Sequence, residues 1–192
     1  MIAIIDYGVG NLFSLKSSLK QLGLEAVVTA DADTIRKADR LILPGVGAFA
    51  DAMAKLEATG LVPVIRAEAE KKPLLGICLG MQMLFDESEE FGLHKGLGLI
   101  PGRVVKIPDT DAGGSLQRVP HISWEPLYPG GGRADFAGTA LAQLRAGEEC
   151  YFIHSYEAKP ADEADRLADT VYGGRAVCAS AAHGSVVGCQ FH

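Results

Sequence analysis

The amino-acid sequence predicts an α/β fold with a mostly parallel central sheet, flanking helices and extra antiparallel strands in its C-terminal half. Two observations carry this prediction. Before Gly92, short apolar segments alternate with helical patterns, which is typical of βαβ units and a parallel sheet. After Gly92, short strand candidates follow one another through Gly and Pro turns. The chain has 192 residues, 48% of them hydrophobic, so we expect one domain over 1–192.

The elements before Gly92 follow from local patterns. A first strand is predicted at 2–5, and a helix at about 14–22 whose leucines recur at helical spacing and which Gly23 ends. Further along the chain we expect a strand at 25–28, a capped helix in DADTIRKA, a strand in RLILPGVG, helices at 49–57 and 61–71, and a strand, turn and helix in PLLGICLGMQMLF.

The C-terminal half is predicted to consist mainly of strands. The strand candidates are GLGLIPGRVVKI, RVPHISW, CYFIHSY, DTVYGG, AVCASAAHG and SVVGCQF. The segment ADFAGTALAQLRAG (134–147) is the only helix we expect among them, and DTDAGG (109–114) is expected to be a mobile loop.

Composition excludes several classes of protein. The net charge is −6 and the 18 basic residues form no cluster, so nucleic acid is not an expected partner. No apolar run approaches the roughly 18 residues that span a bilayer, so we expect no membrane partner. The N-terminus lacks the basic region of a secretory signal, and the four cysteines show no CxxC pair, which favours reduced thiols in the cytoplasm.

A glycine-flanked thiol gives the sharpest indication of chemistry. In Gly76-Ile77-Cys78-Leu79-Gly80 a strand enters and a helix leaves, as in a nucleophile elbow with sulfur in place of a hydroxyl. We expect the helix N-terminus to lower the pKa of the Cys78 thiol, and the Leu79 amide to face a developing oxyanion. The turn in LPGVGAF could supply a second amide from Val46 or Gly47. The competing interpretation is a buried cysteine in a core strand.

A thiolate nucleophile needs a base, and five histidines compete for that role. His192 follows a strand of period two at the carboxyl edge, where open α/β sheets place their ligands. His94 and His183 are expected in solvated turns, while His121 and His154 flank aromatic residues and could be packed or interfacial. We expect no cofactor, because GVGNLFS lacks the third glycine of a dinucleotide loop. We also expect no metal, since Cys189 and His192 would face opposite sides of a strand.

The motifs GICLGMQMLF, LPGVGAF and GCQFH together resemble the class I glutamine amidotransferases. The segments IDYGVGNLFS, KGLGLIPGRV, VPHISW and YFIHSY bring the whole chain close to the glutaminase subunits of imidazole glycerol phosphate synthases in histidine biosynthesis. The resemblance implies an α/β fold of that class and a glutamine substrate. It assigns the nucleophile to Cys78, the general acid/base to His192, and the substrate pocket to Gly47, Gln82, Glu90, Ser155 and Tyr156.

The same resemblance implies a partner, a (β/α)₈-barrel cyclase subunit that receives the ammonia. Asn11, His121 and Trp124 match positions at or near the docking face. An exposed Trp with polar neighbours is a suitable interface anchor, although Trp124 could equally belong to the core.

The sequence departs from the family at two places. The family's last motif is His-Pro-Glu, whose glutamate orients the histidine; here the sequence ends at His192, and we expect the full-length protein to continue through Pro-Glu. In PHISWEP, Ser123 and Glu125 stand where the family usually has glycine and asparagine. Three alternatives stay open: an amidotransferase subunit of another synthase such as pyridoxal phosphate synthase, a cysteine hydrolase or peptidase, and a catalytically silent partner protein.

Overall fold

The computed structural model describes residues 1–192 and contains 14 strands and five α-helices. The helices are α1 Leu12–Gln21, α2 Ala32–Lys37, α3 Phe49–Ala58, α4 Val62–Ala69 and α5 Leu79–Met83, and a 3-10 helix covers Glu163–Asp165. The strands before residue 100 are β1 Ile2–Ile5, β2 Ala26–Thr29, β3 Arg40–Leu43, β4 Leu74–Ile77, β5 Phe85–Ser88 and β6 His94–Lys95. The later strands are β7 Ile100–Lys106, β8 His121–Pro126, β9 Tyr128–Pro129, β10 Glu149–His154, β11 Tyr156–Pro160, β12 Arg166–Tyr172, β13 Arg175–His183 and β14 Val186–Cys189.

One 12-stranded sheet forms the centre of the molecule, in the order β2-β1-β3-β4-β14-β13-β11-β7-β5-β6. Off this path, β12 pairs with β13, and β9 pairs with β12. Strands β2, β1, β3, β4 and β14 are parallel to one another. Strand β13 is antiparallel to β14, β11 and β12. The predicted α/β class, with a parallel sheet and additional antiparallel strands, is confirmed.

Alternating side chains of the parallel strands build a core on each face of the sheet. On β1, Ala3 and Ile5 belong to the larger core, which α2 to α5 cover. Ile2 and Ile4 point to the opposite face and pack with Leu19 of α1. Because successive side chains face opposite layers, the fully buried parallel strands need apolar residues at every position, as in IAII.

A separate two-stranded sheet pairs β8 with β10 in antiparallel register, so that His121 lies opposite His154. Phe152 of β10 belongs to a third core with Phe136, Leu141 and Leu167. This small sheet adjoins the carboxyl end of β14, because the His192 amide donates to the Tyr151 carbonyl at 3.0 Å.

The helix predicted at 134–147 is wrong. Its hydrogen bonds are isolated three-residue turns, such as Thr139 N–H to Phe136 C=O, and they do not form a continuous helical series. Gly138 lies between them with φ +73°, outside the helical region. Burial of Phe136 and Leu141 explains the apolar spacing that suggested a helix. The other predicted strands agree with the structure to within a few residues, whereas β5, β6, β9 and β11 were not predicted. None of the helices is long and apolar enough to cross a membrane.

Candidate active site

Cys78 occupies the bend between β4 and α5. Its backbone has φ +55° and ψ −114°, a left-handed combination that is unusual for a residue with a Cβ atom. The strand pairing continues into the bend, since the Cys78 amide donates to the Cys189 carbonyl at 2.8 Å. The bend therefore projects the Cys78 side chain from the carboxyl edge of the parallel strands, as a nucleophile elbow requires.

Three glycines allow the backbones around this bend to touch. A Cβ atom on Gly45 would lie 2.5 Å from the Gly80 nitrogen, and one on Gly76 would lie 2.6 Å from the Gly80 oxygen. A Cβ atom on Gly80 would overlap the Leu43 carbonyl oxygen. Because all three clashes are with backbone atoms, no side-chain rotation could relieve them. Close contact between the start of α5 and the end of β3 thus fixes the position of Cys78.

Burial dominates the electrostatics of the thiol. It raises the pKa of Cys78 above its ordinary value of 9.0, against the opposing effects of the Leu79 amide and the Gln190 side chain, which both hydrogen-bond to the sulfur. The expectation of a lowered thiol pKa is therefore wrong, because the five-residue helix α5 does not compensate for desolvation.

A cavity of about 380 Å³ opens above Cys78. That volume suits a small-molecule ligand. The cavity brings together all nine residues that the sequence assigned to catalysis, the oxyanion hole or the substrate: Val46, Gly47, Cys78, Leu79, Gln82, Glu90, Ser155, Tyr156 and His192. Pro120, Ile153 and His154 complete the lining.

The polar groups of the cavity are held by the fold. A Glu90 carboxylate oxygen accepts from the Phe49 amide at 2.6 Å, at the first residue of α3, where the N-cap residue Ala48 has no side chain that could accept. The Gln82 amide nitrogen donates to the Tyr156 carbonyl at 3.1 Å and to the Gln190 side-chain oxygen at 2.8 Å. Both carboxamide protons of Gln82 are thus used inside the protein, which fixes its orientation.

His192 follows Gln190 by two residues, beyond the end of β14, and lines the cavity. Burial lowers the pKa of the His192 imidazole below its ordinary value of 6.5. At neutral pH the imidazole is therefore uncharged and able to accept a proton, while the Cys78 thiol retains its own.

Gln190 and His154 also belong to the site, although neither was predicted there. The Gln190 side chain is fully buried and its Nε2 lies 3.7 Å from the Cys78 sulfur. Its position directly after a strand, at the carboxyl edge where such sheets place their ligands, could have identified it. No local pattern marks His154, whose place in the cavity depends on pairing of β10 with β8.

The residues assigned to the docking face have different environments. Trp124 is 63% exposed on β8, and Asn11 is exposed at the start of α1, where its side chain accepts from the Ser14 amide. Asn11 also lines a second cavity of about 470 Å³ that shares Val46 and His192 with the first. His121 is fully buried, so its assignment as a partner-contacting residue is corrected to an internal position.

Comparisons with known proteins agree with this geometry. Residues 3–192 match the family model described as glutamine amidotransferase class-I. A protein of Syntrophotalea carbinolica named imidazole glycerol phosphate synthase subunit HisH is 46% identical, covering 100% of this chain and 91% of that protein. The subunit HisH of Geobacter sulfurreducens is 44% identical over 100% of this chain and 90% of its own length.

Solved structures share the fold. One described as a glutamine amidotransferase superposes with a TM-score of 0.73 at 20% identity, covering 100% of this chain and 90% of that one. PurLQS from Thermotoga maritima gives a TM-score of 0.68 at 20% identity, covering 100% of this chain and 86% of that one. At these identities the likeness concerns the fold alone.

Proposed function

Since the chain belongs to the class-I glutamine amidotransferase family, we propose that it is the glutaminase subunit of an imidazole glycerol phosphate synthase, acting in histidine biosynthesis. The observation that carries the proposal is the strained Cys78 bend, which opens into a cavity that also contains His192, Glu90 and Gln82. Its curated relatives of 42–46% identity span the whole chain and bear this subunit's name.

Glutamine fits the polar groups of this cavity. The Glu90 carboxylate can pair with the substrate's α-ammonium group, although one of its oxygens already accepts from the Phe49 amide. Gly47, with φ +93° and open space at its Cα, lets backbone approach the ligand closely. Ser155 and Tyr156 would close the other side of the pocket, at the turn between β10 and β11.

The proposed chemistry follows from the charges of the two reacting groups. As the Cys78 sulfur attacks the carboxamide carbon, the thiol proton passes to the neutral His192 imidazole. The resulting oxyanion faces the Leu79 amide and the turn at Val46. When the C–N bond breaks, His192 returns the proton to the leaving nitrogen and ammonia departs. Water then attacks the thioester carbon and gives a proton to His192. The C–S bond breaks, His192 returns that proton to the Cys78 sulfur, and glutamate is released.

Ammonia released into neutral water would be protonated and lost as a nucleophile, so the product must pass directly to a second active site. We propose a (β/α)₈-barrel cyclase subunit as the acceptor, in the cytoplasm, with Trp124 and Asn11 at the contact surface. The outer side of β8 and β10 supports this placement, because Ile122, Trp124 and Ile153 are exposed there.

Replacement of the nucleophile tests the proposed function directly. In the complex with the host's cyclase, Cys78→Ala should reduce glutamine hydrolysis by about four orders of magnitude or more, as for other catalytic nucleophiles. Synthesis driven by added ammonia should persist, since the acceptor site lies on the other subunit. Ammonia release from glutamine and cleavage of peptides would both be measured for the wild type and for Cys78→Ala. Glutamine hydrolysis that survives in Cys78→Ala, or peptide cleavage without glutaminase activity, would contradict the proposal.

A further inference from the structure

A chain of four polar side chains runs along one face of the β8–β10 sheet to the active-site cavity. Glu125 accepts from the Ser123 hydroxyl at 2.8 Å, and that oxygen lies 3.0 Å from His121 Nε2. His121 Nδ1 lies 3.2 Å from His154 Nε2, and His154 Nδ1 lies 2.8 Å from the Tyr156 carbonyl oxygen. We call these four side chains the relay.

The two imidazoles of the relay are inaccessible to solvent. His121 is 0% exposed and His154 6% exposed. The His121 ring stacks on Tyr172 with centroids 4.0 Å apart and on Phe152 with centroids 5.2 Å apart. Water therefore cannot substitute for a missing hydrogen bond at these rings, and each unmade bond would leave a buried polar atom unsatisfied.

The number of protons in the relay does not match the number of its contacts. Four contacts connect Glu125 to the Tyr156 carbonyl, and each needs one proton. Two neutral imidazoles and one hydroxyl supply only three, and an ionised carboxylate supplies none. The Tyr156 carbonyl can only accept, so His154 must carry its proton on Nδ1 and accept at Nε2. His121 then donates from Nδ1, and its contact with Ser123 is complete only with a fourth proton.

Beyond the relay, the hydrogen bonds continue to the nucleophile. The Tyr156 carbonyl that accepts from His154 also accepts from the Gln82 carboxamide at 3.1 Å. Gln82 donates to Gln190 at 2.8 Å, and Gln190 Nε2 lies 3.7 Å from the Cys78 sulfur. An uninterrupted series of contacts thus joins Glu125, whose side chain is 26% exposed, to the reacting atom.

We propose that Glu125 and Ser123 are positioning residues that hold one additional, exchangeable proton on the His121–His154 pair and thereby orient the Gln82 and Gln190 amides at Cys78. The effect of the relay on catalysis rests on the proposed glutaminase function, whereas the number of protons in the relay does not.

The additional proton lies on the Glu125 side of the relay. Burial lowers the pKa of His154 to about 4, so this ring stays neutral near pH 7. His121 faces Glu125 on its own strand, His154 on β10 and the Tyr172 ring on β12. Burial lowers the His121 pKa below 6.5 while Glu125 opposes that change, so the additional proton belongs to His121 and is given up at a lower pH than a solvated imidazole would require.

Imidazole ¹⁵N chemical shifts in the full chain test the proton count. In the wild-type protein between pH 4.5 and pH 8, His121 should change from protonation at both nitrogens to one, while His154 remains protonated at Nδ1. Glu125→Gln can donate to the Ser123 oxygen, which completes all four contacts without an ionisable group. That variant should therefore keep His121 in the Nδ1–H form throughout. Ser123→Thr should titrate like the wild type, and Ser123→Ala should not.

Glu149→Gln is the matched control, because Glu149 is an exposed carboxylate on β10, one residue pair from Glu125 along the same ladder. This variant should reproduce the wild-type ¹⁵N titration. A wild-type His121 that holds one neutral tautomer over the whole pH range, or a Glu125→Gln variant that titrates like the wild type, would overturn the relay.

Kinetics in the complex with the cyclase test the positioning role. The pH profile of glutamine hydrolysis should contain the ¹⁵N transition in the wild type and in Glu149→Gln, and should lack it in Glu125→Gln. The rate of Glu125→Gln at pH 7 should differ from wild type by about 2- to 30-fold, the range for residues that act through a network. Identical profiles for the two variants would refute positioning. If the wild-type complex hydrolyses no glutamine, the proposed function fails while the ¹⁵N titration still decides the relay.

Discussion

The bend around Cys78 and the β8–β10 sheet both contribute to one cavity, but they are built in opposite ways. The bend is held by direct contact between backbones, at Gly45, Gly76 and Gly80, with no space for another atom. The small sheet is held at its inner edge by the His121–His154 pair, whose hydrogen bonds depend on protonation. The nucleophile is thus positioned by packing, and the opposite wall of its cavity by charge and hydrogen bonds.

This difference indicates which conditions each region should tolerate. Packing of backbone against backbone does not titrate, so the bend should keep its geometry over a wide pH range and fail only when an atom is added. Protonation of a buried imidazole destabilises the folded protein. The stability of the small sheet should therefore depend on pH without any mutation. An added atom should therefore affect the bend, and an added proton should affect the small sheet.

The largest effect is expected from Gly80→Ala. The new methyl group would overlap the Leu43 carbonyl oxygen, and neither backbone can move without displacing β3 or α5. We expect the free energy of unfolding to fall by about 3 kcal/mol or more, the upper range for overpacking. Urea denaturation followed by circular dichroism would measure it.

Gly113→Ala is the control for that measurement. At Gly113 the nearest atom to an added Cβ is Asp111 Oδ1 at 3.4 Å, an ordinary contact, and the backbone is not left-handed. The control should change stability by no more than about 0.5 kcal/mol. Equal stabilities of the two variants would mean that the bend has room that the structure does not show.

The second prediction concerns the small sheet and acid. The pKa of His154 is about 4 in the folded protein and 6.5 in the unfolded chain, so the unfolded chain binds more protons between these values. The contribution of His154 to stability is therefore complete above pH 6.5 and is lost as the pH falls toward 4. Between pH 7 and pH 4.5 the wild type should lose about 2 to 3 kcal/mol more than His154→Gln, which cannot titrate.

Denaturation of both proteins at a series of pH values checks this prediction. Cys78→Ala should show the full wild-type pH dependence, because the pKa of the Cys78 thiol lies above 9.0 and the thiol stays protonated throughout. If His154→Gln loses as much stability in acid as the wild type, then other groups cause the loss and the small sheet is no more pH-sensitive than the bend.

The sequence predicted the bend well because its determinants are local. Glycine two residues before and after Cys78, between a strand and a helix, already specify the close approach of backbones that the structure contains. The relay could not be predicted, because it depends on the register that sets His121 opposite His154 across 33 residues. The prediction of a lowered thiol pKa was wrong for the same reason. Burial depends on the whole fold, whereas the helix N-terminus is visible in the sequence.

The helix predicted at 134–147 failed for another physical reason. Apolar residues at helical spacing, including Phe136 and Leu141, are buried, but in a core that irregular turns also reach. Gly138 then decides between the two structures, because its positive φ interrupts the helical hydrogen bonds. Periodicity identified the buried residues correctly and the backbone incorrectly.

The smallest expected effect comes from backbone strain at Cys78, considered apart from the close packing of the neighbouring glycines. Both Cys78→Ala and Cys78→Gly remove the sulfur, but only glycine relieves a Cβ atom held at φ +55°. Glycine also gains freedom in the unfolded chain, so we expect Cys78→Gly to be more stable than Cys78→Ala by only about 1 kcal/mol. At Ala54, on the exposed side of α3, Ala54→Gly should instead destabilise by about 1 kcal/mol. This opposite sign at an ordinary helical position makes the comparison specific to the bend. If Cys78→Gly proved no more stable than Cys78→Ala, packing of the glycines alone would position the nucleophile.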